Sequence, residues 1–230
     1  MKLENENPIP AGNLQDRLNE FLPSEVEEKY AEAAKEFVKM LEDGRTSKND
    51  LDKHYRDTLF PLAQQRIVSR RLSSTCFDVL YLTAGTQPYS QTLSVLATPA
   101  QKVVFIATDD SRCQECVNTA IKNTDIAPEN VEVLTFPEPF SPDELARVLY
   151  YHHRAFPEGT LFAADITSGR KSMVAALSGF AFARRIPQFY LHAEYRRNFA
   201  VNEERQRISD ILEIVKSLDE QFNDSEKEEE

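Results

Sequence analysis

Two kinds of apolar pattern divide the chain. Up to about residue 75 the apolar positions recur at helical spacing and show no strand-like alternation. Leu14, Leu18 and Phe21 mark a first stretch. Pro23-Ser24 opens a second, with Ser24 as N-cap and Glu27 three residues on as a capping box. Its stripe runs through Tyr30, Ala33, Ala34, Phe37, Val38 and Leu41, and Gly44 ends it. A third helix starts near Ser47 and carries Leu51, Tyr55, Leu59, Leu62 and Ile67, with Pro61 as the point where it kinks or restarts. The pattern predicts an all-helical N-terminal extension over 1–75. Two roles fit it: a layer over one face of the neighbouring domain, or a dimerisation or partner-docking element across residues 12–71.

From Phe77 onward, short apolar runs alternate with amphipathic segments. Strands are expected at 77–85, 102–108, 131–136, 161–169 and 187–195, with helices around 89–97, 112–123, 142–155 and 170–184 between them. A long amphipathic helix is expected over about 202–222. The first two strands are near-continuous β-branched and aromatic runs, as for strands buried on both faces. Alternating strands and helices imply βαβ units with right-handed crossovers. The expected fold is therefore α/β: a Rossmann-like, mostly parallel sheet over 76–200 with helices on both faces. A C-terminal helix and acidic tail, 201–230, complete the division.

Composition sharpens this picture in four places. A length of 230 residues suits one domain plus an extension. No apolar run approaches the ~18 residues needed to span a bilayer, and the polar, acidic MKLENENPIPAGN start lacks the layout of a secretory signal. These features predict a cytoplasmic protein with no membrane contact. The net charge of −11 argues against broad binding to long nucleic acid, which depends on Lys and Arg neutralising phosphates. It leaves room for a small anionic ligand in a local pocket. The three cysteines, Cys76, Cys113 and Cys116, form no disulfide framework. The lone Cys113-x-x-Cys116 lacks two further ligands for zinc, so no metal and no cofactor are expected.

In open α/β sheets, ligands bind beyond the carboxyl ends of the strands, where the strand order reverses. After the first strand comes Thr83-Ala84-Gly85-Thr86, with Ser90 in the next helix. Asp109 and Arg112 come after the second strand, and Asp165-Ile166-Thr167-Ser168-Gly169-Arg170-Lys171 after the fourth. Small loops that feed helices aim unpaired N–H groups outward, and the helix dipole adds positive charge. Gly85 and Gly169 permit close approach of a phosphate. Thr86, Ser90, Thr167 and Ser168 offer hydroxyls. An ordinary turn with Thr167 or Ser168 as N-cap would explain the hydroxyls and the glycine. It would not explain two cations, Arg170 and Lys171, at a helix N-terminus, where positive charge is unfavourable without an anion. Neither GxxxxGK[ST] nor GxGxxG is present.

Asp165-Ile166-Thr167-Ser168-Gly169-Arg170-Lys171-Ser172-Met173 resembles the D-x-T-G-G-x-K-x-M signature of CARF domains, the sensor domains of type III CRISPR systems. Leu82-Thr83-Ala84-Gly85-Thr86, with Ser90 and Leu93 after it, resembles that family's other marker. Ser168 departs from the signature's usual glycine. The resemblance covers about 76–200. It implies a homodimer that binds cyclic oligoadenylate, a tetra- or hexa-adenylate ring, across its two-fold axis. On that basis Lys171 would contact phosphate or ribose, and Gly85, Thr86, Thr167, Ser168 and Gly169 would form the cradle. Ser90 would be a pocket hydroxyl. Arg170, Asp109 and Arg112 are further ligand-binding candidates.

No effector nuclease motif stands out. Arg147 with His152 or His153 matches R-x(4–6)-H, but inside a helix of the sensor region, where both histidines read as helix-surface residues. Three readings remain. One is a metal-independent ring nuclease that cleaves its own ligand, with Lys171, Thr86 and Ser90 as catalytic candidates. A second is a non-catalytic sensor signalling through its helical region. The third is an unrelated nucleotide-binding enzyme, which the missing dinucleotide glycines disfavour.

Overall fold

A computed structural model describes residues 24–70, 76–124, 126–196 and 199–210. The expected stretch around Leu14 to Phe21, the Ser24 side chain of the capping box and the segment from 211 onward lie outside these residues.

The chain forms a six-stranded sheet in the order β3-β2-β1-β4-β5-β6. Its strands are β1 Phe77–Thr83, β2 Ala100–Thr108, β3 Val131–Phe136, β4 Phe162–Asp165, β5 Gln188–Arg196 and β6 Phe199–Arg207. All neighbours pair in parallel except β5 and β6. This is the Rossmann-like α/β architecture, with the order reversing between β1 and β4. Antiparallel β6 replaces the start of the helix expected from 202. Helical backbone begins only at residue 208. The two-residue period of Val201 and Glu203, both buried between exposed or half-buried neighbours, governs this stretch. Its 3.6-residue stripe is a coincidence of charged positions.

Four helices connect the strands: α4 Pro88–Ala97, α5 Ser111–Lys122, α6 Pro142–Arg154 and α7 Lys171–Ala183. They are preceded by α1 Ser24–Asp43, α2 Lys48–His54 and α3 Phe60–Ser69. Alternate residues of the central strands feed two cores. Val79, Tyr81, Val104 and Ile106 meet α6 and α7 through Leu145, Leu149, Met173 and Leu177. Leu80, Leu82, Val103 and Phe105 meet α5 through Cys113, Val117 and Ala120 on the opposite face. His152 is not a plain surface residue. Its Nδ1 lies 2.9 Å from the Tyr81 hydroxyl and its Nε2 3.1 Å from Glu132 Oε1.

The N-terminal helices form a third core. Tyr30, Phe37, Leu41, Tyr55, Leu59 and Ile67 pack with Leu93 of α4, Leu191 of β5 and Val201 of β6. The helical layer thus covers the β5–β6 end of the sheet, the first of the two roles expected from sequence. Gly44, with φ +64°, closes α1, and Ser47 Oγ caps α2 by accepting the Asp50 N–H at 3.2 Å. Between α2 and α3 the helix widens to a π turn over Tyr55–Leu59. Pro61 cannot donate a backbone hydrogen bond, and α3 restarts around it. Arg66 fastens the layer to the sheet. Its guanidinium donates to Glu27 Oε1 at 2.7 Å, Asn202 Oδ1 at 2.8 Å and the Glu203 carbonyl at 3.0 Å.

Candidate functional site at the β1–β4 switch point

The two loops singled out by sequence leave adjacent parallel strands, so their backbones must meet. A Cβ on Gly85 would stand 2.9 Å from the Gly169 nitrogen. One on Gly169, whose φ is +99°, would stand 2.9 Å from Thr83 Cβ. Neither position accepts a side chain without displacing backbone or buried Thr83. The Thr83 hydroxyl donates to the Ser168 carbonyl and ties the loops together.

The hydroxyls divide into structural and available groups. Thr167 Oγ1 accepts the Leu191 N–H at 2.7 Å, joining the β4 loop to β5. Ser168 is buried, and its hydroxyl meets that of Ser90 at 2.8 Å. Ser90 Oγ also donates to the Gln87 carbonyl at 3.0 Å. Thr86 is exposed on the lip. Beneath the loop, Asp165 is fully enclosed and takes the Thr167 N–H at 3.0 Å. Burial pushes its carboxyl up to about 6, while that hydrogen bond pulls the other way. Asp165 therefore shapes the loop from below.

Above the loops lies a cavity of about 140 Å³, lined by Gly85, Thr86, Thr108, Asp110, Gly169 and Arg170 among others. The N-cap of α7 is Arg170, not Thr167 or Ser168, and no side chain caps the helix. The N-terminus of α4 likewise has no side-chain cap. By contrast Asp110 caps α5, accepting from Arg112 N at 3.0 Å and Cys113 N at 3.1 Å. The α7 end adjoining the cavity thus offers unpaired N–H groups and the positive pole of its dipole. Lys171 is the first residue of α7, is exposed, and makes no ion pair among the described residues.

Arg170 is already paired, with Glu138 at 2.7 Å. Glu138 lies two residues past β3, outside the loops singled out by sequence. Charge complementarity with Arg170 is the only sequence signal pointing to it. Asp109 and Arg112 are exposed at the carboxyl end of β2 and do not line this cavity; Thr108 and Asp110 do.

A second cavity, of about 520 Å³, opens on the other side of the first turn of α4. Ser90, Tyr89, Tyr55, Lys48, Phe199 and Glu203 contribute to its walls. Glu203 is buried, and burial pushes its carboxyl up to about 8 against the opposing effects of Arg66 and Tyr55. No local pattern announces this group, because its stretch has the spacing of a helix surface.

No family model and no curated protein matches this sequence. Among solved structures, the chain is similar to Can2 from Sulfobacillus thermosulfidooxidans in complex with cyclic tetra-adenylate. The identity is 19%, over 56% of this chain and 36% of that one, with a TM-score of 0.45. It is also similar to Enterococcus italicus Csm6 bound to cyclic hexa-2'-fluoro-hexa-dAMP. That identity is 12%, over 58% of this chain and 42% of the other, with a TM-score of 0.43. The matched region spans less than half the length of the Can2 chain or of the Csm6 chain.

The crevice can do three things chemically. Its backbone can approach an oxyanion closely, because Gly85 and Gly169 leave no Cβ in the way. The α7 N-terminus can donate to that oxyanion, and Lys171, exposed one residue beyond the lining residue Arg170, can add a full charge at the rim. Among the described residues no group of three or more His, Cys, Asp or Glu is placed to hold a metal ion. No described helix is long and apolar enough to cross a membrane.

Proposed function

We propose that this chain is a CARF-type sensor that binds a cyclic oligoadenylate at the β1–β4 crevice of a homodimer. One observation carries the reading. Gly85 and Gly169 meet backbone to backbone beside an uncapped helix that starts on a lysine. That arrangement suits a phosphodiester better than a neutral ligand, since it offers N–H donors, a dipole and a cation but little apolar area. A two-fold axis would present each loop twice to a ligand made of repeating units.

Within this reading the ligand is also cleaved, slowly and without metal. The ribose 2′-oxygen attacks the adjacent phosphorus and displaces the 5′-oxygen. The 2′-hydroxyl proton passes to solvent and the leaving oxygen gains one from solvent, giving a 2′,3′-cyclic phosphate and a 5′-hydroxyl. Lys171 stabilises the charge gathering on phosphate oxygens, and Thr86 on the lip orients the ribose. Ser90 acts through Ser168, setting the loop that holds the phosphate. Among the described residues the carboxylates at the crevice are engaged, Asp110 with the α5 N–H groups and Glu138 with Arg170, and no imidazole lines it, so slow turnover is expected.

The test incubates purified protein at stoichiometric concentration with cyclic tetra- and hexa-adenylate in the presence of chelator, and then separates the products by chromatography. Linear products ending in a cyclic phosphate are expected. Lys171→Ala weakens binding ~10–100-fold, the worth of one charge-assisted phosphate contact, with unchanged melting temperature. Bound but intact ligand after hours removes the nuclease step and leaves sensing. No binding of either ring removes the whole reading.

The sensing-only alternative has its own observation. The first turn of α4 carries Ser90, bonded to Ser168, and also walls the cavity reached by Lys48, Asp52 and Tyr55 of the helical layer. A ligand that shifts this turn would move the N-terminal helices, which could report occupancy to a partner protein. Ligand-dependent partner capture without cleavage would favour it.

A further inference from the structure

The sheet has two edges of opposite character. Helices α6 and α7 run back from the carboxyl edge, so Arg154, Leu161 and Ala183 all lie near the amino ends of β4 and β5. Four large hydrophobic residues are exposed here: Tyr150, Tyr151, Leu161 and Phe182, the last at 80%. Arginines are interleaved with them. Arg154 Nη1 donates to the Tyr150 hydroxyl at 3.1 Å, and the Arg184 guanidinium sits 4.9 Å from the Tyr150 ring centre. A cavity of about 800 Å³ opens between them, with Phe156 and Phe162 in its walls. An apolar and basic surface of this kind is unusual on a chain of net charge −11.

The topology brings the end of the described chain to the same edge. β6 runs antiparallel to β5, and Arg207 pairs with Phe189, the second residue of β5. The backbone turns helical at Ile208 on this edge. Phe182 lies on the nearer side of α7. Ser178, one helical turn earlier on the same flank, donates to Gln188 Oε1 of β5 at 2.6 Å.

The C-terminal sequence beyond β6 has the complementary chemistry. Ile208, Ile211, Leu212, Val215, Leu218 and Phe222 recur at three- and four-residue steps, one stripe of a helix. Glu213, Asp219 and Glu220 supply acid to meet Arg154, Arg184 and Arg185. In helical form the fifteen residues from Ile208 to Phe222 would span roughly 22 Å, enough to pass Phe182 and arrive at Tyr150 and Leu161. We infer that residues 211–222 of this chain dock along the amino edge of the sheet, burying their apolar stripe on Phe182, Leu161 and Tyr150.

The experiment uses four full-length proteins: the parent, Phe182→Asp, the tail pair Leu212→Asp with Leu218→Asp, and all three changes together. Thermal midpoints, light scattering and amide exchange are measured across a concentration series. Phe182→Asp and the tail pair should each lower the midpoint by ~3 °C or more. The triple change should fall no further than either, because all remove the same contact. Exchange protection at 211–222 should be lost in Phe182→Asp. Additive losses, or no loss from Phe182→Asp, would overturn the assignment. So would midpoint losses that grow with dilution together with a fall in mass, since the patch would then be occupied by a second copy. Ligand binding at the opposite edge should be unchanged in every variant, so this test and that of the proposed function fail separately.

Discussion

The β1–β4 crevice is made of backbone and small side chains, whereas the joint between the helical layer and β6 is made of long charged and aromatic ones. At the crevice, Gly85, Gly169, Thr83 and Ser168 hold two loops at contact distance. At the joint, Arg66 collects Glu27, Asn202 and the Glu203 carbonyl, and its guanidinium lies 4.7 Å from the Tyr30 ring centre. The Tyr30 hydroxyl adds a bond to the Val201 carbonyl at 3.0 Å. Small groups leave backbone donors open to a ligand. Long groups consume the donors they bring. On the proposed reading the first arrangement serves binding and the second serves stability, so substitutions should separate the two.

The largest effect is expected at the joint. Arg66→Ala removes the three hydrogen bonds of a buried guanidinium, takes the donor from the Glu203 carbonyl and leaves Glu27 with Arg70 alone at 3.2 Å, costing ~3–5 kcal/mol in denaturant unfolding. A cost under about 1 kcal/mol would show that the layer is held by its apolar core alone. Gly169→Ala tests the crevice. The φ of +99° and the approach to Thr83 predict a loss of ~1–3 kcal/mol, together with loss of ligand binding. Retained binding would place the ligand elsewhere.

Glu203 gives an effect that is small at acid pH and grows as the pH rises. Its ordinary value is 4.5, and burial raises it to about 8 in the fold. Between those values the folded chain holds a proton that the unfolded chain has released, so stability falls as pH rises through this window. Glu203→Gln should flatten that decline, giving a melting temperature that exceeds the parent's increasingly from about pH 5 to about pH 8.5. Parallel curves would show that the carboxyl is not buried as described. The smallest effect is expected at Glu138. Glu138→Gln releases the half-exposed Arg170 and should tighten anion binding by a few-fold at most, the scale of a surface pair. Weaker binding would make Glu138 part of the ligand contact.

Much of the crevice is legible in the sequence because its requirements are local. Gly85 and Gly169 are needed by the backbone itself, and Lys171 at a helix start conflicts with the dipole within a single turn. The roles of the hydroxyls are less so. Thr167, a cradle candidate by sequence, serves β5 through the Leu191 N–H, a partner 24 residues away. Thr108 and Asp110 reach the site from the end of β2 and Glu138 from beyond β3, so no short window contains all three. The strand at 199–207 mimics a helix in sequence because its polar residues satisfy both periods. What decides between them is the open edge of β5, whose backbone groups need a partner.

The alternation of apolar runs determined by itself that this chain builds a mostly parallel α/β sheet, and the small-residue loops after the first and fourth strands marked the crevice proposed for a phosphate. Those are consequences of period and of backbone sterics, which act over a few residues. Tertiary structure alone decided that the first and fourth strands are neighbours, that Arg66 and Glu203 are buried, and that the aromatic patch and residues 208–210 share one edge. Each depends on which distant segments pair, and the free energy of pairing belongs to no single segment.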